Sequence, residues 1–330
     1  MRILVLGGTA WLGHTIAAAS VRGGHQVTCL ARGTGVPPGV RLVRADRDQD
    51  SALAEVATER WDAVIDVARQ PAHVRRAVRD LRDTADRYLF VSTGNVYASQ
   101  AEIGADEDAE LLPPLSTEVM EAPEDYGPAK VACENAVIEG FGPERSVIAR
   151  AGLIGGPGDP SGRTSYWVQR FASPSNDAGA VLVPHAPHFP TALIDVRDLA
   201  EWLLLLAGGH HGGIFNAFGA SIPFPEHIDI ARVVTGHTGP VVAVPERWLL
   251  EQGGRQWSGE RSLPLWLVDR DWYGMNARST TRAIAAGLRL RPLRETLADT
   301  AAQDLPGVHG PLDAGLTDDE ERSLLDTFAG

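Results

Sequence analysis

Lysine is almost absent from this chain of 330 residues. Among the 30 basic residues only Lys130 is a lysine, so the other 29 (30 − 1) are arginines. A lysine ammonium is a compact charge that the planar guanidinium of arginine does not reproduce, and the one lysine therefore indicates a position that requires it. Tyr126 lies four residues earlier, which places both side chains on one face of a helix. The ammonium would then help the phenol to act as an acid or a base.

Cysteine is also scarce. Only Cys29 and Cys133 are present, far apart in the sequence and without metal-ligand spacing, which argues against a disulfide framework or a cysteine metal site. The pairs His185-x-x-His188 and 210–211 have no accompanying set of acids or cysteines, so we interpret them as loop histidines and predict no metal. A reducing, cytoplasmic setting is the expected one.

Long apolar runs and excess positive charge are missing as well. The longest apolar run, residues 202–209, is well below the roughly 18 residues of a membrane span. The first residues show no basic segment followed by a long apolar one. A net charge of −13 repels phosphate backbones. We therefore expect a small-molecule substrate, and neither a membrane nor a nucleic acid as partner.

Short apolar segments alternate with segments of helical periodicity over the first half of the chain. This alternation is typical of an α/β fold with a doubly wound parallel sheet of the Rossmann type. The predicted strands are residues 3–6, 26–31, 40–44, 63–67, 88–92 and 146–150, and the predicted helices are 11–21, 50–58, 72–81 and 126–139.

The alternation ends after Gly152. We predict a dinucleotide-binding domain of residues 1–152 with a returning segment at about 191–218, in which 214–218 adds a strand. The remaining residues, about 153–190 and 219–330, would form a smaller irregular C-terminal substrate lobe. Its last element would be a helix over 317–328, capped by Thr317.

The first predicted strand leads into Gly7-Gly8-Thr9-Ala10-Trp11-Leu12-Gly13 and then a helix. In this context a glycine motif indicates dinucleotide binding. Gly7 permits the tight turn, Gly13 lets the helix pack closely, and backbone N–H groups at the helix start would hold a pyrophosphate. Ala10 replaces the middle glycine of the usual pattern. The predicted cofactor residues of this turn are Gly7, Thr9, Ala10, Trp11, Leu12 and Gly13.

The residue after the second strand discriminates between cofactors. NAD-binding proteins place an acid there for the ribose hydroxyls, whereas this chain has Arg32. Arginine forms charge-assisted hydrogen bonds with phosphate, so we predict NADP (as NADPH), with NAD as the other possibility. Asp46 and Arg47, after the third strand, would approach the adenine.

Further motifs follow in a fixed order. They are Ser92-Thr93-Gly94-Asn95-Val96-Tyr97, Tyr126-x-x-x-Lys130, Ala151-Gly152-Leu153-Ile154 and Ile194-Asp195-Val196-Arg197-Asp198-Leu199-Ala200. With the glycine turn, this ordered set resembles the extended short-chain dehydrogenase/reductases, also called the NAD-dependent epimerase/dehydratase family.

The resemblance implies roles for individual residues. Tyr126 would be the general acid and base, Lys130 would hold the nicotinamide ribose, and Thr93 would hydrogen-bond the substrate oxygen. Alternation along the strand would turn Ser92 to the other side. Further cofactor contacts would come from Val67, Ala68, Ala151, Leu153 and Ile154. Members of this family often form homodimers, so a homodimer is also possible here.

The leading hypothesis is an NADPH-dependent reductase that transfers hydride to a carbonyl or imine of a small organic substrate. The first alternative is a nucleotide-sugar epimerase or dehydratase with a retained NAD, and the others are a non-catalytic dinucleotide-binding protein and an RNA-binding protein. The predicted substrate contacts are Asn95, Gly155, Arg163, Tyr166, Trp167 and His188.

Overall fold

Strands and helices alternate through the chain in the computed structural model, which describes residues 1–209, 212–303 and 313–330. The strands are β1 (Arg2–Leu6), β2 (Gln26–Ala31), β3 (Arg41–Arg44), β4 (Ala63–Asp66), β5 (Tyr88–Thr93), β6 (Ser146–Ala151), β7 (Leu153–Gly155), β8 (Val181–His185), β9 (Pro190–Asp195), β10 (Gly213–Ala217), β11 (Ser221–Pro223), β12 (Val241–Pro245), β13 (Arg255–Gln256) and β14 (Ser262–Leu263). The helices are α1 (Trp11–Arg22), α2 (Pro71–Leu81), α3 (Tyr126–Phe141), α4 (Ser165–Ala172), α5 (Val196–Ala207), α6 (Phe224–Val234), α7 (Glu246–Glu251), α8 (Thr281–Ala285), α9 (Leu293–Gln303) and α10 (Asp318–Ala329).

The largest sheet has seven strands in the order β10-β6-β5-β4-β1-β2-β3, and all neighbouring strands are parallel. Its central strands are apolar on both faces, as a parallel sheet covered by helices requires. Leu4 and Val5, whose side chains point to opposite faces of β1, are both fully buried. The predicted doubly wound parallel sheet of the Rossmann type is therefore confirmed.

The chain divides into two compact units. The first comprises Met1–Gly152, Val196–Phe218 and Arg278–Arg289, and the second comprises Leu153–Asp195, Gly219–Ala277 and Leu290–Gly330. Compared with the expected boundaries, β9 lies in the second unit because it pairs with β7 and β11. The segment 278–289 lies in the first unit because α8 packs on β10.

In the first unit, α2 and α3 pack together against the sheet. Their apolar residues, among them Val74 and Val137, bury one sheet face with Tyr88 and Phe90 of β5. Helices α1 and α5 form a second packed pair. The motif Tyr126-x-x-x-Lys130 therefore lies on a helix that is fixed to β5 by a continuous core.

The second unit is built around small sheets and aromatic side chains. Its sheets have the strand orders β11-β9-β7, β12-β8 and β13-β14, and its core includes the fully buried Trp167, Trp266 and Phe189. The predicted terminal helix is confirmed as α10. Thr317 caps it, because its hydroxyl accepts the N–H of Glu320 (3.3 Å) and the Glu320 carboxylate accepts the N–H of Thr317 (2.8 Å).

The predicted α-helix over 50–58 is wrong. This segment forms turns and ends in a short 3-10 helix at Val56–Thr58. Hydrogen bonds between residues three apart dominate it, such as the N–H of Ala54 to the carbonyl of Ser51 (3.0 Å). The Trp61 indole N–H donates to the Val56 carbonyl (2.8 Å), which a longer helix would need as an acceptor.

No helix in the described part of the chain is long and apolar enough to cross a membrane.

A fully buried carboxylate, Asp66, lies at the end of β4. It accepts two hydrogen bonds from Arg47 (2.7 and 2.9 Å) and one from the hydroxyl of Tyr88 (2.6 Å). Burial by itself raises the pKa of Asp66, but the Arg47 guanidinium, together with hydrogen bonds from Tyr88 and the N–H of Ala68, holds this pKa below the usual range. The carboxylate thus ties β4, β5 and the segment after β3 together.

Replacing this carboxylate by the change Asp66→Ala is expected to lower the free energy of unfolding by about 3–5 kcal/mol, because it leaves the Arg47 charge buried without a partner. The contribution of Asp66 should be present above the ordinary carboxyl pKa and lost as the pH falls through its lowered value. Urea unfolding at several pH values measures both effects. The control is Glu251→Ala, which breaks an exposed pair with Arg247 (2.8 Å) and should cost less than about 1 kcal/mol. Equal losses in the two variants would contradict the prediction.

Candidate dinucleotide and catalytic site

The glycine turn after β1 lies at the carboxyl edge of the central sheet. Gly7 has a φ of 100°, a conformation that residues with side chains rarely adopt. Its N–H donates to the carbonyl of Leu30 on β2 (3.0 Å), and Val67 beyond β4 donates its N–H to the carbonyl of Leu6 (3.2 Å). A methyl group on Gly7 would lie 2.7 Å from the Val67 side chain. The turn is therefore held between the ends of β2 and β4.

Two more glycines of this turn have no space for a side chain. A methyl group on Gly13 would lie 2.2 Å from the Gly7 carbonyl oxygen, and one on Gly8 would lie 2.2 Å from the sulfur of Cys29. Ala10 is exposed and precedes α1, so its methyl group causes no crowding. Backbone N–H groups at a helix start lack acceptors inside the helix, and the helix dipole is positive there. This close-packed turn fits a dinucleotide pyrophosphate.

Arg32 follows β2 beside the glycine turn. The neighbouring Gly33 packs on Thr9, since a methyl group there would lie 2.8 Å from the Thr9 hydroxyl oxygen. The Arg32 side chain is exposed and has no hydrogen bond or ion pair within the described ranges 1–209, 212–303 and 313–330. It lies close enough to Asp48 to help lower the pKa of that carboxyl, after the larger effect of His73. An exposed arginine that makes no hydrogen bond or ion pair with the described residues thus follows β2.

The two residues predicted at the adenine differ in their surroundings. Asp46 is half-buried and accepts the N–H of Asp48 (3.2 Å). Arg47, by contrast, is buried, and its guanidinium is used by Asp66 and by the carbonyl of His73 (2.8 Å). The structure thus directs the Arg47 side chain into the interior of the first unit. The predicted approach of Asp46 and Arg47 to the adenine stays a prediction.

Lys130 is buried, with 3 % of its surface exposed. Its ammonium donates to the carbonyls of Ala68 (2.8 Å), just beyond β4, and of Val91 (2.6 Å), on β5. It also lies 4.5 Å from the ring centroid of Phe90. Since an ammonium has three donors, one N–H remains for a further acceptor. The lysine therefore lies at the same sheet edge as Val67 and the glycine turn.

Thr93 ends β5 and is nearly buried, with 9 % exposed. Its hydroxyl oxygen accepts the N–H of Asn95 (3.2 Å), which leaves the hydroxyl proton for a ligand. The start of α3 packs on this turn, because a methyl group on Gly127 would lie 2.3 Å from the Asn95 carbonyl oxygen. Tyr126, the first residue of α3, is half-buried. The structure thus brings the beginning of α3 against the residues that follow Thr93.

The remaining predicted cofactor residues lie at the end of β6 and directly after it. Ala151 is buried at the last position of that strand. Leu153 and Ile154 are half-buried in β7, in the second unit. Their predicted contact with the nicotinamide stays a prediction.

Several predicted substrate contacts are core residues of the second unit. Tyr166 and Trp167 are buried, and the Trp167 indole N–H is used by the carbonyl of Pro264 (3.0 Å). Both residues belong to the apolar core that packs around α4. This placement corrects the expectation that they line a pocket. Arg163 is half-buried beside Ser161 and Trp257, while Gly155 is buried, and His188 and Asn95 are exposed.

Nothing in the part of the chain that the structure describes groups three or more histidines, cysteines or acids around a metal position. His185 and His188 are both exposed, and the predicted loop histidines at 210–211 lie outside the described residues. Both cysteines are free and buried, and burial raises the pKa of each thiol to about 12. They are packing residues in this fold.

A buried cluster next to the site was not among the residues predicted from the sequence. Ser92 donates to Glu134 (2.5 Å), and Glu134 forms an ion pair with Arg150 (2.8 Å). Glu134 is four residues after Lys130, so it continues the helix face of Tyr126 and Lys130. From that spacing, an acid on the face of α3 that is turned toward β5 could have been predicted.

Comparison with known proteins agrees with this architecture. Residues 3–87 match the model of the NAD dependent epimerase/dehydratase family. No curated protein sequence matches the chain. A putative epimerase from Burkholderia cenocepacia has a similar structure, with a TM-score of 0.69 and 21% identity over 91% of this chain and 97% of that chain.

Two other similar structures were solved with cofactor. The Bordetella bronchiseptica enzyme WbmG, in complex with NAD and UDP, gives a TM-score of 0.68 and 17% identity over 96% of this chain and 98% of that chain. The UDP-glucose 4-epimerase of Thermus thermophilus, in complex with NAD, gives a TM-score of 0.63 and 19% identity over 93% of this chain and 100% of that chain.

These matches define a Rossmann-type α/β protein with the fold of extended short-chain dehydrogenase/reductases. The resemblance found in the sequence motifs is confirmed, by the family model over residues 3–87 and by the fold over most of the chain.

The glycine turn gives a direct test of cofactor binding. Gly13→Ala should weaken the binding of NADH and NADPH at least about tenfold, because the new methyl group cannot avoid the Gly7 carbonyl without moving the turn. Quenching of tryptophan fluorescence measures both affinities. The control is Gly35→Ala, where an added methyl group meets no atom within 4 Å. Unchanged affinity in Gly13→Ala would show that the turn does not hold the dinucleotide.

Proposed function

We propose that this protein is a nicotinamide-dinucleotide-dependent enzyme that oxidises and re-reduces a hydroxyl-bearing carbon of a small substrate, as epimerases and dehydratases do. The observation that carries the proposal is the buried ammonium of Lys130, held by two carbonyls at the sheet edge one helical turn after Tyr126. The family model over residues 3–87 and the similar epimerase structures support it. They favour this reading over the NADPH-dependent reductase preferred from sequence.

The chain supplies the proton chemistry of such a cycle. When bound, the nicotinamide supplies a hydride acceptor and donor. Tyr126, as phenolate, would take the proton of the substrate hydroxyl while the carbon loses its hydride, so that a carbonyl forms. Thr93 would donate its free hydroxyl proton to that oxygen as a hydrogen bond. The reverse transfer returns the proton from Tyr126.

Lys130 has two tasks in this proposal. Its remaining N–H would hold a ribose hydroxyl of the cofactor, and its positive charge would stabilise negative charge on the Tyr126 oxygen during proton transfer. Two carbonyl acceptors hold the ammonium in one place, so its position does not depend on a ligand. Such preorganisation lowers the cost of ordering the site when the reactants bind.

The catalytic assignment is tested by Tyr126→Phe. Turnover should fall at least about a hundredfold because the proton acceptor is lost, while the affinity for NADH should stay within about threefold because the ring is kept. The assay follows UDP-glucose first, and then other sugar nucleotides, alcohols and carbonyl compounds, by absorbance of the reduced cofactor and proton NMR of products.

The control for this test is Tyr273→Phe, which removes a half-buried phenol of the second unit. It should leave turnover unchanged. Full turnover by Tyr126→Phe would refute the proposed mechanism, and loss of activity in both variants would show that the effect is not specific to Tyr126.

A second candidate is the NADPH-dependent reductase, which Arg32 favours. Arg32 is exposed after β2, next to the Gly33 that packs on Thr9 of the glycine turn, at the position where NAD-binding proteins carry an acid. The same Tyr126 and Thr93 would then donate to the oxygen of a carbonyl substrate as it accepts hydride. Cofactor preference separates the two candidates.

Arg32→Ala should weaken NADPH binding about tenfold or more and leave NADH binding nearly unchanged, since only NADPH has a 2′-phosphate to pair with the guanidinium. Fluorescence titration of both nucleotides at low salt measures the difference. Arg22→Ala is the matched control, because it removes an exposed arginine at the end of α1 and the same net charge. Equal losses of NADPH and NADH affinity would remove the case for phosphate recognition.

A further inference from the structure

We propose that Ser92, Glu134 and Arg150 are positioning residues, which set the place of Lys130 and Tyr126 on α3 relative to Thr93 on β5. We call them the Ser92–Glu134–Arg150 cluster. The inference rests on the proposed function, because it takes Lys130 to contact the cofactor. It assigns a task to three buried polar residues that no step of the proposed mechanism uses.

Within the cluster, the Glu134 carboxylate accepts hydrogen bonds from both Ser92 and Arg150. The Ser92 hydroxyl donates to Glu134 Oε1 (2.5 Å), Arg150 Nε donates to both carboxylate oxygens (3.1 and 3.2 Å), and Arg150 Nη2 donates to Oε2 (2.8 Å). Glu134 and Arg150 are 1 % and 2 % exposed. Moving the Glu134 carboxylate away from Arg150 would leave a buried charge without its counter-charge and would destabilise the fold, so the arrangement allows little displacement.

The cluster joins the helix of Tyr126 and Lys130 to the strand of Thr93. Tyr126, Lys130 and Glu134 are spaced by four residues and share a face of α3. Lys130 bonds to the carbonyl of Val91, and Glu134 bonds to the next side chain on β5, that of Ser92. A shift of α3 by one helical turn, about 5.4 Å, would break both contacts. The position of α3 along β5 is therefore fixed at the two residues that directly precede Thr93.

The cluster is anchored on its other side as well. Arg150 Nη1 donates to the hydroxyl oxygen of Tyr97 (3.1 Å) and to the carbonyl of Glu107 (3.0 Å). The Tyr97 hydroxyl in turn donates to Asn216 Oδ1 on β10 (2.5 Å). Arg150 thus connects β6 to the segment that follows Thr93, so that both sides of the predicted catalytic residue are tied to one guanidinium.

A second buried serine gives a matched comparison. Ser146 on β6 also donates to α3, to the carbonyl of Val137 (3.1 Å), and is 2 % exposed. Its bond lies beyond Glu134, toward the end of the helix. Ser92→Ala removes a hydrogen bond to a carboxylate and Ser146→Ala removes one to a neutral carbonyl, both on the same helix, so each should lower stability, the first by somewhat more. Only Ser92→Ala should disturb Lys130.

The experiment measures NADH and NADPH affinity by tryptophan quenching in both serine variants, alone and combined with Lys130→Met. We expect Ser92→Ala to weaken binding about fivefold and Ser146→Ala less than about twofold. In the Lys130→Met background the effect of Ser92→Ala should disappear, because coupled residues give non-additive changes. A similar loss in both serine variants, or an effect of Ser92→Ala that persists without Lys130, would overturn the inference.

The same affinity measurements distinguish failure of the proposed function from failure of the positioning inference. If Lys130→Met binds both nucleotides normally, the cofactor role of Lys130 is wrong and the positioning inference falls with it. If Lys130→Met binds weakly and Ser92→Ala binds normally, only the inference fails.

Hydrogen exchange of the nucleotide-free protein decides the question even if Lys130→Met does not fold. Ser92→Ala should speed amide exchange in peptides of residues 126–134, and Ser146→Ala in peptides of 135–141. Identical exchange patterns in the two variants would overturn the inference.

Discussion

The buried ammonium of Lys130 is the constraint on which the candidate site depends. A charge removed from water must be compensated by acceptors, or it destabilises the fold. Two backbone carbonyls compensate it here, one beyond β4 and one on β5. These carbonyls hold the end of the lysine side chain, and the Ser92–Glu134–Arg150 cluster, as proposed above, sets the position of the helix that carries it. The glycine turn after β1 lies at the same edge, because β1 is the neighbour of β4.

The sequence predicted the architecture well where the physical signal was local. Short apolar runs that alternate with helical segments predicted the parallel strands, and the one lysine marked the residue at the sheet edge. The segment 50–58 was mistaken for a helix because helical periodicity is weak evidence in so short a segment. Tyr166 and Trp167 were taken for ligand contacts although their apolar bodies favoured a core. The pairing of Glu134 with Arg150 depends on tertiary contact, which no local pattern reports.

The comparisons support the fold more strongly than they support any particular function. The similar structures cover nearly the whole chain at 14–21% identity, a level that carries the fold and not the substrate. Catalysis must therefore be inferred from the residues of the site. A protein that only bound a dinucleotide would need the glycine turn, but it would have no use for a nearly buried hydroxyl with a free proton beside the start of α3. The net charge of −13 argues against RNA as the ligand.

The choice between the two nicotinamide cofactors depends on the charges near Arg32. Asp48 lies close to it, and an unpartnered carboxylate there would repel a 2′-phosphate. His73, however, is hydrogen-bonded to Asp48 (2.7 Å) and is the largest cause of the lowered pKa of that carboxyl. Asp48 already has a hydrogen-bond partner in His73, and Arg32 is exposed. An NAD-dependent cycle would leave this arginine unused by the cofactor, whereas a 2′-phosphate would give it a charge-assisted partner. Arg32 is therefore the residue whose replacement distinguishes the two cofactors, and this test does not depend on the structures solved with NAD.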